Sequence, residues 1–375
     1  MHFALTEDQR AIRDAAQDFL SGATGAEART AALESAAGWD SSLWRALGAE
    51  LGFAGLMTPE AYGGSGLGAV EMSLVLEEVG KALPVVPLFE SAVVSVTTIL
   101  AAGDEDQKAA LLPGLASGET IATPVWAREG ETAPVLTLTP APTLSGLVRY
   151  APFAQAADLL LVACEGAEGV SLIALPADAP GVRVERHASL DPTRPLATVH
   201  LETVAIRPEW ILGVPGGAAA ALQKSWTVAA GLLAAELTGV AAHSLASTVE
   251  YVQQRVQFGR PIGSFQAVKH TLADMMVQVE AARSASLYAA AALDLGGDEA
   301  VEAASVAKAW CGDAANHCAG EAIQLHGGIG FTWEHPAHLY FKRARSSSAW
   351  LGNAALHREL VAVRMGLDAT TPDPA

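Results

Sequence analysis

Gln253–Gln266 (QQRVQFGRPIGSFQ) is the segment on which the fold turns. It places an Arg, amide side chains, a Phe and two glycines between long helical stretches. Before it, Ala218–Arg255 is an Ala-rich run that reads as one long helix, too apolar to lie on a surface. After it, Phe265–Leu295 and Glu299–Gln324 read as two more helices. Antiparallel packing of these helices in an up-and-down bundle is the simplest outcome. A second interruption, Ile323–Phe331 (IQLHGGIGF), follows the third helix. A guanidinium, amides and a glycine run at helix ends are the equipment for gripping an anionic, dinucleotide-like cofactor.

Working outward, the 375 residues leave room for two or three domains. Residues 1–121 read as helices joined by short glycine-containing loops. Thr6 and Gln9 have capping-box spacing, and helices are expected near Ser41–Leu51 and Gly68–Leu83. The loop Pro59–Leu67 (PEAYGGSGL) has no Lys-Ser/Thr after it, so it reads as a tight connector and not a P-loop. Pro84 and Pro87 are expected to close the preceding helix. Near Thr123 the pattern changes. Leu159–Ala163, Ser171–Ala174, Val182–Glu185 and Thr198–Leu201 read as strands without intervening helices, so 122–215 is expected to be a small antiparallel barrel or sandwich. Helical sequence resumes from 216 to 375, with a Pro- and Asp-rich tail that should fray. The fold class is mainly α with an inserted β domain.

Composition supports this reading. Hydrophobic residues are 51% and aromatics 6%, so the core is built largely from Ala, Leu and Val. The formal charge of -18 disfavours nucleic acid and anionic membrane as partners. Cys164, Cys311 and Cys318 have neither CxxC nor zinc spacing. Cys311 and Cys318 are expected on one helix face as buried hydrophobes. The start of the chain lacks a signal-peptide pattern and no run of 18 uncharged apolar residues appears, so a cytoplasmic location is expected.

The order helical, β, helical, with QRVQFGRPIGSFQ after the first C-terminal helix, resembles the acyl-CoA dehydrogenase family. The match extends to LTEDQ at the start, GFAGLMTPEAYGGSGLG, LADMM at Leu272–Met276 and AIQLHGGIGFTWEHPAHLYFKRA. The resemblance implies an N-terminal helical domain, a central β domain and a C-terminal four-helix bundle. It also implies non-covalent FAD, an acyl-CoA substrate desaturated between Cα and Cβ, and an electron-transfer flavoprotein as electron acceptor. By the family's R-x-x-F-G motif, Arg255, with Gln257 and Phe258, would meet the FAD pyrophosphate of the neighbouring subunit. By its Q-x-x-G-G-x-G motif, Gln324, Leu325, Gly327, Gly328 and Gly330 would meet the adenosine end. His326 reads as structural.

The chain departs from the family where the chemistry is expected. The family's tyrosine-glutamate-glycine-threonine segment falls on Trp350-Leu351-Gly352-Asn353, so the usual base is Leu351. The family's alternative base position, on the long helix, is Ala229. Glu236 is the nearest remaining carboxylate on that helix, two turns on and roughly 10 Å away, and is the candidate base on this chain. The Trp-x-Thr/Ser segment behind the flavin becomes Tyr150-Ala151-Pro152, and Pro152 has neither hydroxyl nor backbone N–H. The glycine-rich segment before it is replaced by Pro124–Pro134.

What serves the partner's flavin is retained, and what serves the chain's own flavin is lost. The resulting expectation is a hetero-oligomer, such as an α2β2 tetramer, in which a paralogous subunit supplies flavin pocket and base. Acyl-CoA dehydrogenases of this kind act on bulky steroid side-chain esters. A homo-oligomeric dehydrogenase using Glu236, and a non-catalytic flavoprotein-like scaffold, remain as alternatives.

Overall fold

In the computed structural model, which describes residues 4–125, 136–139 and 142–367, the chain runs through a helical layer, a sheet and a helical bundle. The first layer holds α1 (Glu7–Ala23), α2 (Ala26–Glu34), α3 (Ser41–Ala49) and α4 (Ala69–Ala82). Thr6 and Gln9 close the capping box on α1, each side chain accepting the other's backbone N–H at 3.1 and 3.0 Å. Pro84 follows α4, but the segment after Pro87 does not stay open. It forms a buried π-helical stretch, Phe89–Ser95, that runs into α5 (Val96–Ala102). α6 (Glu105–Ser117) completes the layer.

The middle of the chain forms one seven-stranded sheet: β1 (Ala122–Val125), β2 (Leu136–Leu138), β3 (Thr143–Pro152), β4 (Leu159–Gly166), β5 (Gly169–Pro176), β6 (Val182–Arg186) and β7 (Leu196–Ala205). The expectation of a wholly antiparallel sheet is corrected here. β4 pairs in parallel with both β1 and β2, while the remaining ladders are antiparallel. A parallel neighbour must arrive from a distant part of the chain, so short-range turn signals do not announce it. β3 is irregular between Val148 and Ala151, and Tyr150 there has φ +64°. Such a bulge swings a side chain out of register. Tyr150 is more than half exposed, whereas Pro152 is buried.

The bundle consists of α7 (Ala219–Gln254), α8 (Gln266–Leu295), α9 (Gly297–His326), α10 (Ala337–Ala349) and α11 (Ala354–Arg364). By length and composition α7 is apolar enough to cross a membrane, although Lys224 and Glu236 interrupt it. However, 78% of its most apolar window is buried inside the fold, so it is the core helix of the bundle. Cys311 and Cys318 are buried on α9, as their seven-residue spacing predicts.

α4 crosses α7 at a pair of glycines. A Cβ on Gly80 would lie 2.0 Å from the Glu236 carbonyl, and one on Gly239 would lie 2.0 Å from the Glu77 carbonyl. No side chain fits there, so the two backbones pack directly and fix the turn of α7 that carries Glu236.

Candidate functional site

The two segments expected to grip a cofactor meet at one end of the bundle. Arg255 caps the C-terminus of α7, its N–H bonded to the Tyr251 carbonyl at 2.8 Å. A two-residue hairpin follows, β8 (Val256–Gln257) with β9 (Arg260–Pro261), closed by Phe258 and Gly259 at φ +55° and +77°. Two consecutive positive φ values are the geometry of a type I′ turn. One turn before Arg255, the Tyr251 ring stacks on His326 at 4.4 Å between centroids. His326 closes α9 and leads into Gly327–Phe331, so this stack joins the two segments. His326 also bonds the Ala322 carbonyl through Nδ1 at 2.7 Å, in keeping with a structural part.

All the expected cofactor residues but one lie outward or at the rim. Arg255, Gln257, Phe258, Gln324, Gly327 and Gly328 are exposed and Leu325 is half-buried, whereas Gly330 is buried against the Ile323 carbonyl. Arg255 has no carboxylate partner among the described residues, and the Gln257 amide donates to the Val256 carbonyl beside it. Nothing stands within 4 Å above the Cβ positions of Gly327 and Gly328, and Gly327 has φ +64°. An unpaired guanidinium beside an open, side-chain-free stretch fits a diphosphate-bearing group such as FAD. Around this end Phe258 is 92% exposed, and Phe331 and Trp333 are about three-quarters exposed. These three rings leave apolar surface exposed around the hairpin and the glycine run.

The chain's own cleft, between sheet and bundle, is arranged differently. Leu351 lies at φ +59° and is buried, with its carbonyl bonded by His357 Nε2 at 2.9 Å. Lys308, fully buried, donates to the carbonyls of Ser348 and Gly352 at 2.9 and 2.8 Å. The turn that carries the family's base is therefore pinned from two sides. Ala229 is buried too, with no polar atom on its side chain.

Glu236 does not suit the base role expected of it. Its carboxylate is fully buried and takes a bond from Arg194 Nη2 at 2.6 Å, another from Arg343 Nη1 at 3.1 Å, and a third from the Ser347 hydroxyl at 3.1 Å. Burial alone would raise its pKa, but the two guanidiniums overcome that and hold it at about 2. A carboxylate so tightly paired is a poor proton acceptor, because protonation would break both ion pairs.

Sequence reasoning missed the rest of this cluster. Arg194 also donates to Glu90 at 2.8 Å, from the π-helical stretch, and to the Ser347 hydroxyl at 2.5 Å. Arg343 donates to Thr193 and pairs with Asp191 at 3.2 Å. The Arg194 guanidinium lies 4.9 Å from the Trp350 ring centroid and 5.7 Å from that of Phe89. Three carboxylates thus face two guanidiniums away from water. Burial pushes the Glu90 carboxyl above its ordinary value, which lessens the excess of negative charge. The one available signal was a pair of charged residues among prolines, Asp191-Pro-Thr-Arg194-Pro, in an otherwise β-rich region.

Behind the cleft, Pro152 offers no N–H, and its carbonyl accepts the hydroxyl of Thr123. The expectation for Pro124–Pro134 lies outside the described residues except at Pro124 and Val125, which are part of β1.

Comparison with known proteins agrees with this geometry. The family model for the acyl-CoA dehydrogenase N-terminal domain matches residues 6–119, and that for the C-terminal domain matches 216–366. Acyl-CoA dehydrogenase IpdE2 of Mycobacterium tuberculosis is 35% identical over 92% of this chain and 93% of its own length. Among solved structures, the ChsE4-ChsE5 complex from Mycobacterium tuberculosis superposes with a TM-score of 0.89 at 26% identity, covering all of both chains. A chain from a variant of the Tcur3481-Tcur3483 steroid ACAD gives 0.87 at 32% identity, covering 97% of this chain and 99% of that one. Butyryl-CoA dehydrogenase from Megasphaera elsdenii gives 0.89 at 25% identity, covering 97% and 100%. The chain belongs to the acyl-CoA dehydrogenase family, FAD-dependent oxidoreductases that act on acyl-CoA thioesters.

Proposed function

We propose that this chain is one subunit of a hetero-oligomeric acyl-CoA dehydrogenase, in which a paralogous subunit provides the flavin pocket and the base. The observation that carries this reading is a contrast within one chain. Arg255, Gln257, Phe258, Gln324, Gly327 and Gly328 face outward, with Leu325 half-buried and Gly330 buried behind them, and the guanidinium has no carboxylate among the described residues, while the chain's own cleft lacks a base at Leu351 and Ala229. Glu236, the remaining candidate, is held by Arg194 and Arg343. FAD, when bound, supplies the acceptor for the hydride that leaves Cβ as a base on the partner takes the Cα proton. On this chain, Arg255 would neutralise phosphate charge, and the glycines would let the backbone approach the adenosine half. The exposed Phe258, Phe331 and Trp333 would bury themselves against the partner and exclude water from the joined site.

The structural relative named as a steroid ACAD supports a bulky, steroid-derived acyl group as substrate class, and the two-component ChsE4-ChsE5 complex supports a hetero-oligomer, for which α2β2 is the arrangement proposed. Electrons would pass to an electron-transfer flavoprotein, in a cytoplasmic setting. The test is to purify the chain alone and with a paralogue that retains the glutamate, then measure mass, flavin-to-protein ratio and dehydrogenation. The expected result is little flavin and no turnover alone, and flavin with turnover in the mixed assembly. Stoichiometric flavin with dehydrogenation by the lone chain would overturn the reading.

A further inference from the structure

A slot of about 380 Å³ lies between the sheet and α10, within the size range of small-molecule sites. Its apolar wall includes Tyr150, Pro152, Leu190, Leu196 and Trp350. Arg194 and Asp191 also reach it, but both are already committed. Asp191 accepts from the Thr193 N–H and hydroxyl and from the Ser346 hydroxyl at 2.9, 2.5 and 2.6 Å, and Arg194 is held by two glutamates.

Arg345 is the exception. It stands exposed on the slot, its guanidinium 5.1 Å from the Phe341 ring centroid, with no carboxylate partner among the described residues. Of the cations that line the slot, Arg194 is neutralised by Glu90 and Glu236, which leaves Arg345 as the one free to meet a ligand among the described residues. A cation beside an apolar slot is a ready partner for an apolar anion, because the guanidinium pairs with carboxylate oxygens while the rings and leucines cover the body. The slot does not suit a flavin ring: Pro152 has no N–H, and its carbonyl is taken by Thr123.

We propose that this slot binds a planar apolar carboxylate, held by Arg345 and enclosed between Tyr150 and Trp350, as a site separate from the dehydrogenation site shared with the partner. The proposal rests on the reading that the flavin ring lies in the partner subunit. It is tested by calorimetric titration of the full chain, in its purified assembly, with 2-naphthoate and with the neutral 2-naphthol. The expected result is a saturable site for naphthoate, weakened about tenfold or more for naphthol and for Arg345→Gln. Leu190→Glu, on the apolar wall, should weaken both probes by removing an apolar contact, and naphthoate more than naphthol because like-charge repulsion adds to the loss. Equal binding of the two probes, or naphthoate binding indifferent to both variants, would overturn the proposal. The failures are distinguishable. Naphthoate displaced stoichiometrically by FAD on the lone chain would sink the partner-flavin reading, whereas indiscriminate naphthoate binding with no flavin on the lone chain would sink only this site.

Discussion

Arg194 and Glu236 pair at 2.6 Å in the interior, with side chains 4% and 0% exposed. Arg194 comes from the loop before β7, Glu236 from the middle of α7, and Glu90, the second carboxylate on Arg194, from the helical layer. One guanidinium therefore ties all three parts of the chain, and it does so against Trp350, the residue before Leu351. A buried pair of this kind adds little net stability over apolar packing, but breaking it is costly because it strands the surviving charge.

Glu236→Gln should act on stability and not on chemistry. The variant leaves Arg194 and Arg343 short of a counter-charge, and the expected loss is roughly 3–5 kcal/mol by denaturant unfolding. Turnover per folded mixed assembly should be unchanged and its pH profile unshifted. A pH profile that lost an ionisation in the variant would return Glu236 to the role of base.

The same pair makes stability acid-dependent. The folded pKa of Glu236 is depressed from 4.5 to about 2, so its contribution is complete above 4.5 and disappears as pH falls through about 2. Glu90 is shifted upward by burial, so its contribution runs the other way, lost as pH rises through its raised value. Wild type should lose stability between pH 4.5 and 2 more steeply than Glu236→Gln, by on the order of 3 kcal/mol across the window. Parallel unfolding curves for the two proteins would contradict this.

Phe258 predicts a conflict between fold and assembly. It takes a left-handed conformation at φ +55° that suits Asn or Gly better, at a cost of roughly 1–2 kcal/mol for other residues, while its ring is 92% exposed. Phe258→Asn should therefore stabilise the isolated chain by about 1 kcal/mol. It should weaken association with the paralogue, because the ring that would be buried there is gone. Thermal unfolding of the single chain and sedimentation of the mixture in the ultracentrifuge read the two effects separately. Loss of stability in the single chain would show that the ring is needed at home.

α7 was legible in the sequence because an Ala- and Leu-rich run ends at a Phe-Gly turn, and both signals are local. The placement of Arg255 and of the Gln324–Gly330 run at one end of the bundle was legible for the same reason, since both are short motifs at helix ends. Two things were not. The parallel pairing of β1 with β4 joins Ala122 to Leu159, far apart in the chain, where no turn fixes the register. The Arg194 cluster unites residues 42 and 107 positions from one another, as in Arg194–Glu236 and Arg343–Glu236, and single-sequence patterns carry no record of such partners. Glu236 looked available only because the two arginines that occupy it are far away in the chain.

Arg255 offers a test of the grip that does not disturb the fold. Its side chain is exposed and has no carboxylate partner among the described residues, so Arg255→Ala should leave the unfolding midpoint of the single chain unchanged. In the mixed assembly the same change removes a charge-assisted contact to phosphate, worth about 1.5–3 kcal/mol, or roughly ten- to a hundredfold in FAD affinity. Arg255→Lys should recover part of this, because an ammonium keeps the charge but not the paired geometry. Flavin fluorescence on release, followed against added salt, would report the affinity directly. The loss should shrink as ionic strength rises, since an exposed cation acts through a screened field. An Arg255→Ala assembly that retained flavin as tightly as wild type would remove this chain from the cofactor site.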